Sequence, residues 1–293
     1  MNHDKTLSVT VLDIFSGIGG FSLGLEKAGM KTIAFCEIHS FCQKILKKHW
    51  PSVPIFSDIT ILTNKDFKTL PKIDVIAGGF PCQDISVAGK GGGIAAKRSG
   101  LWKEFARLIN EIRPKYAIIE NVANLRSQGL ISVLQDLWEI GYDAQWHCIP
   151  ASAFGAPHRR DRIWIIAYPA CIGKAGLSCR EKTSKSISGG NCKDVFGYKI
   201  SGLQGGYQFK EVRRVLPQEI RTYRNTKGFA QWGVEPETIP RLIEERLNPD
   251  WVEWLMGFPH GWTEGGSRMQ RLQSLGNAVV PLIPQFLGEV ILN

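Results

Sequence analysis

Cys82 is the residue whose chemistry the sequence most needs to explain. It follows Gly79-Phe80-Pro81, at the end of an apolar run over residues 73–77 that predicts a buried strand of a parallel sheet. Pro81 fixes the backbone immediately before the thiol. A thiol on a rigid turn at the carboxyl end of a central strand lies where open α/β sheets bind their ligands. Taken alone, however, Cys82 is better explained as a small buried apolar residue, as most free cysteines are.

Glu120 follows another apolar run, residues 116–119, which predicts a second buried strand. A carboxylate there needs a partner, because desolvation raises its pKa. A structural salt bridge would explain it as well as a catalytic role. If the two strands are neighbours in the sheet, Glu120 and Cys82 face the same crevice, and the catalytic interpretation is favoured.

Three arginines, Arg159, Arg160 and Arg162, lie between strands predicted over residues 142–149 and 162–168. Arginines this close together usually lie on a solvated face. Beside a candidate site they could instead bind an anionic group or a carbonyl oxygen. Their role therefore depends on where the fold places them.

The first three predicted strands end in residues suited to an adenosine-containing cofactor. The strand over residues 8–15 leads into a glycine turn, residues 16–20, where backbone N–H groups and a helix N-terminus can approach a ligand closely. Glu37 ends the second strand, where a carboxylate can accept hydrogen bonds from ribose hydroxyls. Asp58 follows the third strand and suits the adenine edge. Each acid alone is better explained as a helix N-cap, and Ser22 at the third glycine position argues against NAD.

The composition is that of an ordinary globular protein of 293 residues, with 43% hydrophobic and 22% charged residues. Residues 1–10 contain no apolar run of signal-peptide type, and no stretch is expected to supply the roughly 18 apolar residues that span a bilayer. We therefore expect a cytoplasmic protein with no membrane partner.

Seven cysteines without framework spacing predict reduced thiols. Those in apolar surroundings, Cys36, Cys42 and Cys148, are expected to be packing residues. A second group invites a zinc interpretation: Cys171, Cys179 and Cys192. No histidine lies between residues 159 and 259 to complete such a site, so we expect no metal.

The net charge of +9 is concentrated in one part of the chain. Residues 170–232 contain 12 Lys and Arg residues but 4 Asp and Glu residues. This part is rich in glycine and serine and has no long periodic segment, which predicts a second domain. Its basic residues alternate with the aromatic residues Tyr198, Tyr207, Phe209, Tyr223 and Phe229. Although basic residues usually form a solvated face, this pattern suits a nucleic-acid surface better.

Five motifs occur in the order of one known family. They are D-I-F-S-G-I-G-G at 13–20, G-F-P-C-Q at 79–83, E-N-V at 120–122, H-R-R-D-R at 158–162 and L-G-N-A-V at 275–279. On these motifs the chain resembles the DNA cytosine-5 methyltransferases, over about residues 1–168 and 247–293. The resemblance implies an α/β fold: a Rossmann-like S-adenosylmethionine-dependent methyltransferase domain, with a mixed, mostly parallel sheet, and a smaller target-recognition domain. We expect the first from residues 1–168 plus 270–293 and the second from residues 169–269, with 247–269 as a bridging segment.

The resemblance also implies roles for matched residues. Cys82 would be the nucleophile, Glu120 would hydrogen-bond the base, and Arg160 and Arg162 would complete the pocket. The residues that would hold S-adenosylmethionine are Phe15, Gly17, Ile18, Gly20, Glu37, Ile38, Asp58, Ile59, Pro81, Leu101 and Asn277.

Two departures from the family pattern affect these roles. The family's arginine motif usually opens with glutamine, where this chain has His158, and no role is carried over to that position. Ile38 stands where the residue after the ribose acid is often aromatic. Aliphatic packing would therefore replace stacking on the adenine.

The implied reaction is transfer of a methyl group from S-adenosylmethionine to C5 of a flipped-out cytosine in a specific duplex DNA sequence, through a covalent cysteine–C6 adduct. The nearest alternative is an RNA (tRNA) cytosine-5 methyltransferase of the same fold, and the long basic insert favours double-stranded DNA. A catalytically silent DNA-binding module conflicts with the intact P-C and E-N-V motifs, and an NAD-linked dehydrogenase conflicts with the missing glycine. We expect a monomer, which a cognate restriction endonuclease could accompany in the host without direct contact.

Overall fold

The computed structural model describes residues 8–81, 100–170, 220–221, 223, 232 and 236–293, together with the backbone of residues 197–203 and 206–212. Its main sheet has seven strands: β1 Thr10–Ile14, β2 Lys31–Cys36, β3 Ile55–Phe56, β4 Val75–Gly79, β5 Tyr116–Val122, β6 Tyr142–Pro150 and β7 Asp161–Pro169. The helices around it are α1 Gly20–Lys27, α2 Ser40–His49, α3 Gly100–Ile112, α4 Leu125–Gln128, α5 Leu130–Glu139, α6 Pro249–Met256, α7 Arg268–Asn277 and α8 Leu282–Leu292. Short 3₁₀ helices span Asn64–Phe67 and Ala151–Phe154.

The strand order is β3-β2-β1-β4-β5-β7-β6. The first five strands are parallel, and β7 is antiparallel to both β5 and β6. The order reverses between β1 and β4, and the carboxyl ends of the parallel strands on both sides of this point meet at one edge. Open α/β sheets bind ligands at such a reversal. The predicted α/β, mostly parallel fold is confirmed.

The central strands are buried on both faces because helices cover each side of the sheet. Val11 and Val75 belong to one hydrophobic core, together with side chains of α1, α6 and α8. Leu12 and Ile76 belong to a second core with side chains of α3 and α5. Consecutive residues of a strand therefore pack into the cores on opposite faces of the sheet. Because both faces are buried, the strands are continuous apolar runs in the sequence.

Residues 170–232, which have no long periodic segment in the sequence, contain a hairpin of β8 Gly197–Leu203 and β9 Gly206–Val212. Glycine lowers strand propensity, which explains why the sequence shows no clear strand pattern here. One expectation about this part was wrong. Tyr223, expected on a nucleic-acid surface, is instead buried, with its ring 5.7 Å from that of Phe154 and 5.1 Å from that of Phe286.

A second, two-residue hairpin, β10 Leu242–Ile243 and β11 Arg246–Leu247, precedes α6. Farther on, Arg268–Leu292 is long and apolar enough to cross a membrane by length and composition, contrary to the sequence expectation. It consists of the two helices α7 and α8, and most of its apolar part is buried inside the fold. A helix buried in the core of a soluble protein can have the same length and apolar composition.

Cys36 and Cys42 are buried, as predicted for packing residues, and Cys148 is half-buried. Burial raises the pKa of Cys36 and of Cys42 to about 12, so both thiols stay protonated at neutral pH. Cys171, Cys179 and Cys192 lie outside the described residues.

Candidate active site

The strands that lead to Cys82 and Glu120 are neighbours, as the catalytic interpretation requires. In the parallel register of β4 and β5, Gly79 is paired with Glu120. Cys82 itself lies outside the described residues. Its approach is anchored to β5, because the buried Asn121 side chain donates to the carbonyl oxygen of Phe80 at 2.9 Å. This role of Asn121 was not predicted.

Gly79 leaves room for the Glu120 carboxylate because it has no side chain. A Cβ at position 79 would lie 2.5 Å from Glu120 Oε2. Real Cβ atoms do not approach an oxygen so closely, so a side chain there would displace the carboxylate. The glycine predicted to end the strand therefore also admits the acid from the next strand.

Glu120 is buried and forms an ion pair with Arg162, whose Nε lies 2.9 Å from Glu120 Oε1. Burial raises the pKa of Glu120 to about 6, and the charges of Arg162 and Arg160 oppose that rise. The carboxyl group is therefore mostly ionised at pH 7 but accepts a proton readily. Such a group can share a proton with a base placed against it.

The predicted arginine cluster divides in two. Arg159 is exposed and pairs with its neighbour Asp161, as expected on a solvated face. Arg160 turns inward, and its Nη2 donates to the carbonyl oxygens of Gly276 at 2.7 Å and Ala278 at 2.8 Å. Arg160 and Arg162 thus join the last motif of the chain to Glu120.

The glycine turn after β1 and the acid after β2 are in direct contact. Gly17 has a φ of +54°, and a Cβ there would meet no atom of the described residues within 4 Å. Its N–H donates to Glu37 Oε2 at 2.7 Å, while Glu37 Oε1 accepts from the N–H of His39 at 2.7 Å. A carboxylate offers about four acceptor positions, so two backbone contacts leave capacity for ribose hydroxyls.

Ile38 and Asp58 lie at the adjacent strand ends. The Ile38 side chain is 68% exposed, so it is accessible for packing on a flat ligand ring. Asp58 Oδ1 accepts from the N–H and hydroxyl of Thr60, both at 2.8 Å. This is a contact within a turn and not the helix N-cap expected as the alternative, since the next helix begins at Asn64 with Thr63 as its N-cap.

The other predicted cofactor residues differ in their exposure and in their hydrogen bonds. Phe15 and Leu101 are half-buried, while Pro81 and Asn277 are exposed. Ile18 is buried, and its carbonyl oxygen accepts from Trp262 Nε1 at 2.9 Å. Ile59 is buried, and its carbonyl oxygen accepts from Arg107 of α3 at 3.0 Å.

Gly20 is explained by packing, since a Cβ there would lie 2.9 Å from the carbonyl oxygen of Val279. Its cofactor role remains a prediction. The open turn at Gly17, the acceptor capacity of Glu37 and the exposed Ile38 together fit the ribose and adenine of S-adenosylmethionine.

Asp13 was not singled out from the sequence as a site residue. It is fully buried, and its Oδ2 accepts from the hydroxyl of Ser22 at 2.7 Å and from its N–H at 3.2 Å. Its Oδ1 has no hydrogen-bond partner among the described residues. Burial raises the pKa of Asp13 to about 8, despite the hydrogen bonds from Ser22. The folded protein therefore keeps this carboxyl group largely protonated at neutral pH.

Asp13→Asn is expected to make stability less dependent on pH between pH 5 and pH 8. In the unfolded chain an aspartate has a pKa of about 4, so over this range the folded state holds a proton that the unfolded state has released. The free energy of unfolding of the parent therefore falls as pH rises towards 8. Asparagine does not titrate, so the variant lacks this contribution to the pH dependence. Urea unfolding at pH 5, 6.5 and 8 measures the slope.

The matched control is Asp66→Asn. Asp66 is exposed, and its hydrogen bonds with Thr63 lower its pKa, so it titrates below this range. Its variant should show the parental slope. An Asp13→Asn slope equal to that of the parent would contradict a protonated Asp13.

Comparisons with known proteins agree with this arrangement. A family model described as C-5 cytosine-specific DNA methylase matches residues 9–197. Type II methyltransferase M1.ScrFI of Lactococcus lactis subsp. cremoris is 37% identical, over 95% of this chain and 77% of its own length. Type II methyltransferase M.HpaII of Haemophilus parainfluenzae is 30% identical, over 97% and 89% respectively.

Solved structures share the fold at lower sequence identity. A DNMT2 mutant of Spodoptera frugiperda superposes with a TM-score of 0.63 at 18% identity, covering 98% of this chain and 100% of its own. The Dnmt2 methyltransferase of S. pombe gives a TM-score of 0.62 at 18% identity, covering 97% and 98%. At this identity the similarity supports the architecture alone.

Proposed function

Since this chain belongs to the family of C-5 cytosine-specific DNA methylases, we propose that it methylates C5 of a flipped-out cytosine in a specific duplex DNA sequence, through a covalent adduct between Cys82 and C6. The observation that best supports this chemistry is the ion pair of the buried Glu120 with Arg162, beside Gly79 at the end of the strand that leads to Cys82. It combines a proton-sharing carboxyl group and a cation at the edge where an α/β sheet binds ligands.

Cys82 acts as the nucleophile. Cytosine C5 is a weak nucleophile, and addition of the Cys82 thiolate to C6 turns the ring into an enamine-like species whose C5 can take a methyl group. Removal of the C5 proton by a base then re-forms the C5–C6 double bond and expels the sulfur. This divides one difficult step into easier ones.

Glu120 and the two arginines stabilise the base during this addition. Glu120 shares a proton with ring N3. This hydrogen bond stabilises the negative charge that develops on the ring when the thiolate adds to C6. Arg162 lies against Glu120 and can donate to O2 of the base. Arg160 holds the loop against the last motif through Gly276 and Ala278.

S-adenosylmethionine supplies the methyl group when it is bound. We assign its ribose to Glu37, its adenine to Ile38 and Asp58, and its closest backbone approach to Gly17. The remaining assignments are Phe15, Ile18, Gly20, Ile59, Pro81, Leu101 and Asn277.

Double-stranded DNA is the proposed partner. A base cannot be attacked at C6 within a stack, so it must be flipped out at a cost of a few kcal/mol. Residues 169–269, with their basic part, are the proposed recognition domain that recovers this cost through phosphate and base contacts. Residues 1–168 and 270–293 form the proposed catalytic domain.

The relatives named Type II methyltransferases suggest a cellular setting. We place the protein in the cytoplasm as a monomer, within a restriction-modification system whose endonuclease makes no direct contact with it.

The test is transfer of a labelled methyl group from S-adenosylmethionine to unmethylated duplex DNA and, in parallel, to tRNA. Labelling of DNA at C5 of cytosine within one sequence supports the proposal. Labelling of tRNA alone would establish the RNA alternative, and labelling of neither would reject both. Methylation-sensitive sequencing of DNA from expressing cells then identifies the target.

Gly79→Ala is expected to lower the rate of methyl transfer about 10- to 100-fold, because its Cβ displaces Glu120 from the base. S-adenosylmethionine affinity should change little. Gly100→Ala is the control, since a Cβ there meets no described atom within 4 Å. Single-turnover rates and calorimetric cofactor affinity measure both effects, and equal rates for the two variants would contradict the steric argument.

A further inference from the structure

The segment of residues 158–162, which carries the arginines and runs from the loop before β7 into that strand, is attached to α6 by His158. Nε2 of this half-buried side chain lies 2.9 Å from the carbonyl oxygen of Leu255. A carbonyl oxygen only accepts, so Nε2 carries the proton. Burial and the charges of Arg160 and Arg162 lower the pKa of His158, against the opposing effect of this hydrogen bond. The neutral Nε2–H form is therefore the donor at neutral pH.

The carbonyl oxygen of Leu255 has a specific need for a side-chain donor. It lies in the last turn of α6, and the residue four positions later, Pro259, has no N–H to offer. Neighbouring carbonyls are satisfied by the chain, since Gly257 N–H donates to Trp254 and Phe258 N–H to Glu253. Leu255 instead receives His158 and Trp232 Nε1, the latter at 3.2 Å.

α6 is a firm anchor for this contact. Its buried Glu253 accepts from the N–H groups of Gly261 and Thr263, both at 2.7 Å, and from Arg271 of α7 at 3.0 Å. The carboxylate is thus well satisfied, and it holds α6, the following loop and α7 together. A hydrogen bond to α6 therefore fixes His158 relative to the C-terminal end of α7, where Arg160 binds.

Arg160 explains why the loop needs this attachment. It has a φ of +38°, in the left-handed region that residues with a Cβ rarely adopt. Such a conformation persists only where surrounding contacts hold it in place. On its C-terminal side, the loop is held by the pairing of Arg162 with Glu120. On its N-terminal side, it is held by the N–H of Ala151, which donates to the carbonyl oxygen of Arg159 at 2.7 Å, and by the contact of His158 with Leu255.

We propose that His158 is a positioning residue: its hydrogen bond to the Leu255 carbonyl holds residues 158–162 so that Arg160 reaches the last motif and Arg162 stays on Glu120. This proposal rests on the proposed methyl transfer. A glutamine amide nitrogen has a similar reach to histidine Nε2, so a glutamine at position 158 can make the same contact.

The test compares His158→Gln with His158→Asn, two amides that differ in reach by one methylene. Glutamine is expected to retain kcat within about twofold. Asparagine, too short to reach Leu255, should lower kcat about tenfold, with KM for DNA and for S-adenosylmethionine within about twofold. Trp232→Phe is the control, since it removes the other donor to the same carbonyl without touching the arginine loop.

The outcomes separate the two roles that His158 could have. If His158 only satisfies the end of α6, His158→Asn and Trp232→Phe should both lower Tm and leave kcat unchanged, and that result would overturn the proposal. Equal kcat for the glutamine and asparagine variants would overturn it as well. If the parent protein transfers no methyl group in this assay, the proposed function itself fails.

Discussion

Replacing Cys82 with serine is expected to abolish methyl transfer while leaving DNA and cofactor binding measurable. A serine hydroxyl is far less acidic and less nucleophilic than a thiol, so it cannot add to C6 of the base at a useful rate. Binding depends on other residues and should survive. Tritium transfer to duplex DNA measures turnover, and filter binding and calorimetry measure the two affinities.

The covalent adduct provides a direct readout of the same step. A duplex with 5-fluorocytosine in the target sequence should become attached to Cys82 when S-adenosylmethionine is present, because fluorine at C5 blocks the elimination that releases sulfur. Mass spectrometry of the digested protein locates the bond. The control is Cys148→Ser, at a half-buried cysteine of β6. This variant should still become attached to the 5-fluorocytosine duplex. Comparable turnover by Cys82→Ser, or no trapping of the parent, would reject the mechanism.

Glu120→Gln is expected to slow the chemical step about 10²- to 10³-fold, the usual cost of losing one preorganised stabilising group. An amide keeps the size of the side chain but cannot give up or share a proton with ring N3. It also leaves the half-buried Arg162 without its counter-charge. Cofactor affinity should stay within about twofold, because most of the proposed cofactor residues follow β1, β2 and β3. Single-turnover rates with prebound DNA isolate the chemical step.

Glu111→Gln is the matched control for this prediction. Its carboxylate pairs with Arg107 on α3, 2.8 Å away, so the same substitution removes an ion pair that does not involve Glu120 or the arginines beside it. Turnover should be unchanged. A Glu120→Gln effect confined to S-adenosylmethionine affinity would mean that Glu120 serves the cofactor and not the base.

Local patterns were sufficient to predict the framework of the site. Apolar runs predicted the strands before Gly79 and Glu120, and the glycine turn and the acids at strand ends suggested where a cofactor would bind. These signals depend on neighbours in the chain, since strand burial and turn conformation are set mainly by a few consecutive residues. The sequence left the pairing of β4 with β5 as a condition, and only the assembled sheet showed that the two strands are neighbours.

Contacts between distant parts of the chain depended on tertiary structure. The sequence does not distinguish the three arginines Arg159, Arg160 and Arg162. In the fold, the first is exposed, the second contacts a residue 116 positions away and the third contacts one about 40 positions away. Tyr223 was assigned to a DNA surface from its basic neighbours, yet rings of Phe154 and Phe286 bury it. His158 acquires its contact because Pro259 leaves a carbonyl without a donor. Burial, pairing geometry and unsatisfied backbone groups arise only when the elements pack, so composition and spacing could not reveal them.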